Sequence, residues 1–228
     1  MRLLAFETAT EACSVALWID GQVLERFDIA PRRHTELALP WAEQLLAEAG
    51  MRRSQLDAIA VGRGPGAFTG VRLAIAISQG IALALERPLI PVSTLAALAM
   101  RGSGARRIAA MDARMGDVYL GTFERDGGGI ASITPEVVVK PEAADIPQGD
   151  DWQGVGTGFA AADGALQGRF GARLASVDAL ALPHAADVAR LAALAFARGE
   201  GLAPESVEPA YLRNDVALTL AQQQALRR

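Results

Sequence analysis

Apolar positions along the chain fall into short runs and helical stripes. Residues 3–6 form a short apolar run, the mark of a buried strand. The β-prone segments 13–19 and 23–29 are joined by Asp20-Gly21, a hairpin signal. From 34 to 49, Leu37, Trp41 and Leu45, with Ala38, Ala42, Leu46 and Ala49, recur at helical spacing, and Gly50 is a stop. Pro40 falls inside this stripe, so the helix is expected to kink or to start late. Residues 58–61 predict a strand, a glycine-rich stretch follows, and 70–85 read as a long apolar helix. A strand over 89–92 and a helix over 95–100, capped by Ser93 or Thr94, complete the first hundred residues as β-β-β-α-β-α-β-α.

The second half begins in the same way. Ile108-Ala109-Ala110-Met111-Asp112 repeats Leu3-Leu4-Ala5-Phe6-Glu7, each run ending on a carboxylate and followed by a polar turn and a β-prone run, here 118–123. Asp126-Gly127-Gly128-Gly129 is a hairpin turn into a strand over 133–139. Residues 141–151 are loop-like, 152–158 a short strand ending in glycines, 159–166 and 187–197 helices, and 199–209 a Gly/Pro-rich connection into a polar C-terminal helix or tail. The pattern is a duplication with a degraded second copy. It predicts an N-terminal lobe over 1–104, the docking lobe, and a degenerate second lobe over 105–228. Each lobe is a mixed sheet flanked by helices, the duplicated α/β (ribonuclease H-like) layout of actin, sugar kinases and Hsp70. Two such lobes leave a cleft, and Glu7 and Asp112 are expected at strand ends facing it.

Composition narrows the classes. The chain has 228 residues, about half of them apolar (51%), enough for a sizeable core and against disorder. A net charge of -4 argues against a free-standing nucleic-acid binder, which would carry a basic face. The single Cys13 excludes an internal disulfide framework and fits a reducing compartment. Glu7 interrupts the first apolar run, unlike a signal peptide. The most apolar window, 71–85, is short for a membrane span and contains Arg72, Ser78 and Gln79. A soluble cytoplasmic protein without a membrane partner is expected.

The most distinctive stretch is Gly62-Arg63-Gly64-Pro65-Gly66-Ala67-Phe68-Thr69-Gly70-Val71-Arg72. Its glycines and proline fix a turn that something approaches closely: a phosphate, a substrate or another protein. Gly62, Gly64 and Ala67 match the dinucleotide fingerprint in form, but 89–92 offers no acid for a ribose, and no Gly-Lys-Ser/Thr makes it a Walker A loop. On the following helix, Leu73, Ile77, Ile81 and Leu85 mark one apolar face and Gly70, Ala74, Ser78 and Ala82 a smooth one. A helix apolar almost all round needs more than one cover, so the smooth face is expected to meet a partner helix beside Leu37, Trp41 and Leu45. Arg63, Arg72 and Arg87 are either solvated charge or one edge meeting an acidic partner or an RNA backbone. No nucleophile–base set assembles from Cys13, His34 and His184, and no zinc spacing exists. Glu7 and Asp112 could hold magnesium through water, but 7–14 contains no glycine for a phosphate-cradling turn. Gly154-Val155-Gly156-Thr157-Gly158 reads as a plain turn, with an adenine or ribose support as the alternative.

Phe6-Glu7-Thr8-Ala9-Thr10, the glycine stretch 62–72, Asp112-Ala113-Arg114-Met115-Gly116-Asp117-Val118-Tyr119 and Pro209-Ala210-Tyr211-Leu212-Arg213 resemble the bacterial TsaB (YeaZ) family, densely through about residue 120 and again at the terminal Tyr-Leu-Arg. The resemblance implies an actin-like fold and a part in making N6-threonylcarbamoyladenosine (t6A) at adenosine 37 of tRNAs reading ANN codons. It implies a non-catalytic subunit that dimerises with the catalytic paralogue TsaD, is joined by the ATPase TsaE, and meets tRNA only through the complex. No tightly bound cofactor is implied, with ATP or ADP confined to the assembled complex. The paralogue's His-x-x-x-His metal pair has no counterpart in Ser93-Thr94-Leu95-Ala96-Ala97-Leu98. The family pairs through its first two helices and forms homodimers through the same patch when the partner is absent. The rival readings are a small-molecule kinase or ATPase using Glu7 and Asp112, and a metallopeptidase, for which no ligand set can be assembled.

Overall fold

The computed structural model describes residues 1–213. β1 (Arg2–Glu7), β2 (Ala12–Ile19) and β3 (Gln22–Ile29) form an antiparallel meander. β4 (Ala58–Gly62) pairs parallel to β1 and β5 (Leu89–Val92) parallel to β4, giving the order β3-β2-β1-β4-β5. α1 (His34–Glu48) and α2 (Phe68–Leu85) connect these strands, and α3 (Thr94–Ala99) leads to the second sheet. There, β6 (Arg106–Asp112), β7 (Val118–Asp126) and β8 (Gly129–Ser132) run antiparallel, and β10 (Trp152–Val155) and β11 (Leu174–Asp178) add parallel strands. The order β11-β10-β6-β7-β8 repeats the plan of the first sheet, with β9 (Val137–Val139) also on β7. Two mixed sheets flanked by helices are the duplicated α/β fold that the sequence pattern predicts.

Several elements differ from expectation. α1 begins at His34 despite Pro40, which lies on its exposed side. The strand expected over 133–139 forms only at its end: β8 comes earlier, over Gly129–Ser132, and β9 starts at Val137, beyond Pro135, which has no N–H to give a ladder. The helix expected over 159–166 is a series of single turns, and α4 (Ala165–Phe170) starts later. β11 escapes the sequence pattern because it is a half-exposed edge strand. α2 starts at Phe68, before the apolar window 71–85, and its 18 residues, with mean hydropathy 1.6, are long and apolar enough by length and composition to cross a bilayer. It lies instead against β1 and β4. The C-terminal helix or tail expected after Arg213 lies outside the described residues.

The alternation along β1 assigns two cores. Leu4 and Phe6, with Val15, Leu17, Ile59 and Val61, meet α1 and α2. Leu3 and Ala5, with Ala16, Ala58, Ala60 and Ile90, are covered by Ala185, Val188, Ala189 and Ala192 of α5 (Ala185–Ala197). Burying each such Leu or Phe contributes about 1.5–3 kcal/mol. By packing, then, α5 belongs with the first sheet, and a division at 104/105 cuts through that core.

Candidate functional site

Glu7 ends β1 and is 1% exposed. Its Oε1 accepts from the Ala9 N–H at 2.8 Å and its Oε2 from the Thr94 hydroxyl at 2.9 Å. Thr94 Oγ1 in turn accepts from the Gly64 N–H at 3.2 Å, so the carboxyl, the start of α3 and the glycine loop form one relay. Burial pushes the Glu7 carboxyl up to about 7, opposed by the hydrogen bonds from Ala9 and Thr94. Glu7 therefore does not face an open cleft as expected. Asp112, at the matching end of β6, is half-buried, and Arg114 occupies its two oxygens through its backbone N–H at 2.8 Å and its guanidinium at 3.3 Å. The two acids do not make a matched magnesium pair, since one is sealed and the other is capped by its own turn.

The glycine loop is approached closely, but by the chain itself. A β-carbon at Gly62 would overlap the Glu7 carboxylate, one at Gly66 would overlap Ala9, and one at Gly70 would overlap the Thr8 carbonyl. The Ala67 N–H donates to Ala9 O at 2.7 Å, and the Thr8 hydroxyl to Gly70 O at 2.7 Å. The loop thus cradles the β1–β2 turn, and the space a phosphate would need is filled. Pro65 is buried, while Arg63 and Thr69 are exposed. The second glycine cluster behaves alike: Gly156 and Gly158 press on Ala110 of β6.

The expected docking face needs correction. Gly70, Ala74, Ser78 and Ala82 are all buried, because small side chains let α2 approach its own sheet. Leu45 of α1 is buried in the same core, while Leu37 and Trp41 remain half-buried at its edge. The solvent side of α2 carries Ala76, Gly80 and Ala84 at four-residue spacing, with Leu83 54% exposed. This outer stripe is as smooth as the inner one, and α1 is in contact with α2.

The arginines divide. Arg72 lies over the Phe68 ring at 3.2 Å from its centroid and 5.1 Å from that of Tyr211, whereas Arg87 is beyond the far end of α2. Ala210 N donates to Arg63 O at 2.8 Å, and Arg213 pairs with Asp117 at 2.7 Å. The Pro209–Arg213 stretch therefore runs from the glycine loop to the β6–β7 turn.

One cluster carries no signal in the sequence. Glu25 of β3 accepts from the Ser14 hydroxyl at 2.7 Å, the Ala186 N–H at 3.0 Å and His184 Nδ1 at 3.0 Å. The Ala185 N–H donates to Ser14 Oγ at 2.9 Å, and the His184 ring stacks on Phe27 at 4.0 Å. Burial raises the Glu25 carboxyl, but the hydrogen bonds from His184, Ala186 and Ser14 outweigh it, and the net direction is down. The acid lies between serine and histidine, the wrong order for a nucleophilic triad. It holds the positive end of α5. His34 is likewise structural, its Nε2 donating to Thr10 O at 3.0 Å.

The family model for TsaD, tRNA N6-adenosine threonylcarbamoyltransferase, matches residues 28–220. The tRNA threonylcarbamoyladenosine biosynthesis protein TsaB of Escherichia coli (strain K12) is 46% identical over 225 residues, 95% of this chain and 96% of that protein. Its namesake from Haemophilus influenzae is 38% identical over 229 residues, 95% of each. The solved structure of YeaZ from Pseudomonas aeruginosa is 46% identical with a TM-score of 0.87, covering 92% of this chain and 99% of that one.

Proposed function

The chain belongs to the TsaB (YeaZ) family, and from that premise we propose that it serves tRNA threonylcarbamoyladenosine biosynthesis as a non-catalytic subunit paired with the transferase paralogue TsaD. Its part in that biosynthesis follows from relatives of that name 46% and 38% identical along 95% of the chain. The pairing rests chiefly on one observation: the outer face of α2, with Ala76, Gly80, Leu83 and Ala84, is apolar, small and uncovered among the described residues. A partner helix could approach that stripe closely, with Leu37 and Trp41 of α1 at its edge. A second copy of the chain would occupy the same stripe when the paralogue is absent.

The non-catalytic role is supported by what occupies the cleft end of β1. Glu7 is spent on the Thr94 relay, and α3 presents Leu95, Ala97, Leu98 and Ala99 to the core where the paralogue is expected to carry its histidines. The β1–β2 turn fills the glycine loop, which supports the reading that ATP or ADP belongs to the assembled complex with TsaE and that tRNA is met there, in the cytoplasm. The kinase reading is not favoured, since its two acids do not converge.

The test is reconstitution. Modification of tRNA by TsaD and TsaE should rise with added chain and saturate at a fixed molar ratio to TsaD. Turnover of ATP by the chain alone, or full activity without it, would sink the reading.

A further inference from the structure

We propose that the mouth of the glycine loop contacts single-stranded RNA directly, with bases stacking on Phe68 and Tyr211 and phosphates drawn to Arg72 and Arg63. The inference rests on the reading that the chain works in tRNA modification, and extends it from RNA met through a complex to RNA touched by this chain. Phe68 is 67% exposed and Tyr211 52%, and both sit against one guanidinium, that of Arg72. Among the 213 described residues only Phe27 is another exposed aromatic of this kind, and its ring is covered by His184. The exposed aromatics are thus concentrated at one point of a chain with 5% aromatic residues. Alternating ring and guanidinium planes are the surface on which unstacked bases settle, without regard to sequence.

Charge favours the same ligand locally, although the chain as a whole carries -4. Two acids on the adjoining turn are already matched. Asp117 holds both Lys140 at 2.9 Å and Arg213 at 2.7 Å, and Asp112 holds Arg114 at 3.3 Å. Glu136 accepts from the Ser93 hydroxyl and faces Arg63, and burial raises its carboxyl toward the neutral form. Arg72 has no acid partner among the described residues, and its Nη1 is buried without a hydrogen-bond partner. The patch therefore carries an unmatched positive charge between two exposed rings, which suits a polyanion whose bases are free to stack. Met115, 81% exposed on the adjoining turn and touching Arg213 through its sulfur at 3.2 Å, extends the apolar part of the platform.

The test titrates a fluorescently labelled tRNA anticodon stem–loop with the complex of this chain and TsaD, and with the chain alone, at two salt concentrations. Heterodimer formation is scored separately by size exclusion, so failure of the pairing does not obscure the RNA result. Phe68→Ala and Tyr211→Ala should each weaken binding about tenfold, the scale of one lost base stack. Arg72→Lys, which keeps charge and removes the plane, should weaken it also, and ultraviolet cross-links should map to Phe68 or Tyr211. Equal affinity of all three variants and wild type overturns the proposal. So does loss of heterodimer by Phe68→Ala with RNA affinity of the chain alone unchanged, which would assign the patch to a protein partner.

Discussion

Glu7 and Gly62 share one small volume: the Gly62 α-carbon lies where any β-carbon would overlap Glu7 Oε2. Strand β4 thereby reaches the carboxyl that β1 buries. Gly62→Ala forces the carboxylate out of its hydrogen bonds with Ala9 and Thr94. Overpacking of this kind costs roughly 1–3 kcal/mol, so the melting temperature should fall clearly. An unchanged melting curve would mean that the contact is soft.

The same carboxyl makes stability depend on pH. Its folded value is raised from 4.5 to about 7, so the native state binds a proton that the unfolded state has lost. The contribution is complete below 4.5 and disappears as pH rises through about 7, a change of about 3 kcal/mol. Urea midpoints measured from pH 4.5 to 8 should fall in the wild type, and Glu7→Gln should flatten that slope. Parallel slopes would remove Glu7 as the cause.

Glu25 acts in the opposite sense. Its folded value is lowered, so its contribution is present above the unfolded carboxylate value and is lost as pH falls through the depressed one. Glu25→Ala leaves the Ala186 N–H and the Ser14 hydroxyl without their partner, a loss of about 1–3 kcal/mol. Hydrogen exchange should report faster opening of the first turn of α5 than of its middle. Uniform protection along the helix would contradict the clamp.

The two stripes of α2 separate folding from pairing. Gly80→Arg, on the open side, should leave the melting temperature near wild type and weaken the complex with TsaD by several kcal/mol, measured by calorimetry. Ala74→Arg, on the sheet side, should unfold the chain instead. If Gly80→Arg binds as wild type, the outer face is not the docking face.

A fragment covering 1–104 should fail to fold, because it lacks the helix that covers Leu3, Ala5, Ala16 and Ala60. Adding 105–213 should restore a cooperative transition. A soluble, cooperatively melting 1–104 fragment would support the boundary read from the repeat.

Much of the fold was legible because strands buried on both faces read as short apolar runs, and hairpins announce themselves at Asp20-Gly21 and across Gly127-Gly128. The orientation of α2 was not. Its residues are apolar on every side, so periodicity cannot say which stripe meets the sheet; the small stripe does, because the sheet is close. The purpose of the glycine loop was half legible. Close approach was evident from Gly62, Gly66 and Gly70, but its object, the turn Glu7-Thr8-Ala9, lies more than fifty residues away and carries no matching signal. The Glu25–His184 clamp spans 159 residues and consists of ordinary surface types, so nothing local marks it.

The return of α5 to the first sheet has a consequence for synthesis. Until residue 197 has left the ribosome, one whole face of β1, β2 and β4 has nothing to lie against. The nascent chain must carry that apolar face uncovered through most of its translation. Contacts of such long separation also form slowly, since a large loop must close before they reward it. The first sheet therefore completes its core only after the second has been synthesised, and its open face suits chaperones that shield exposed strands.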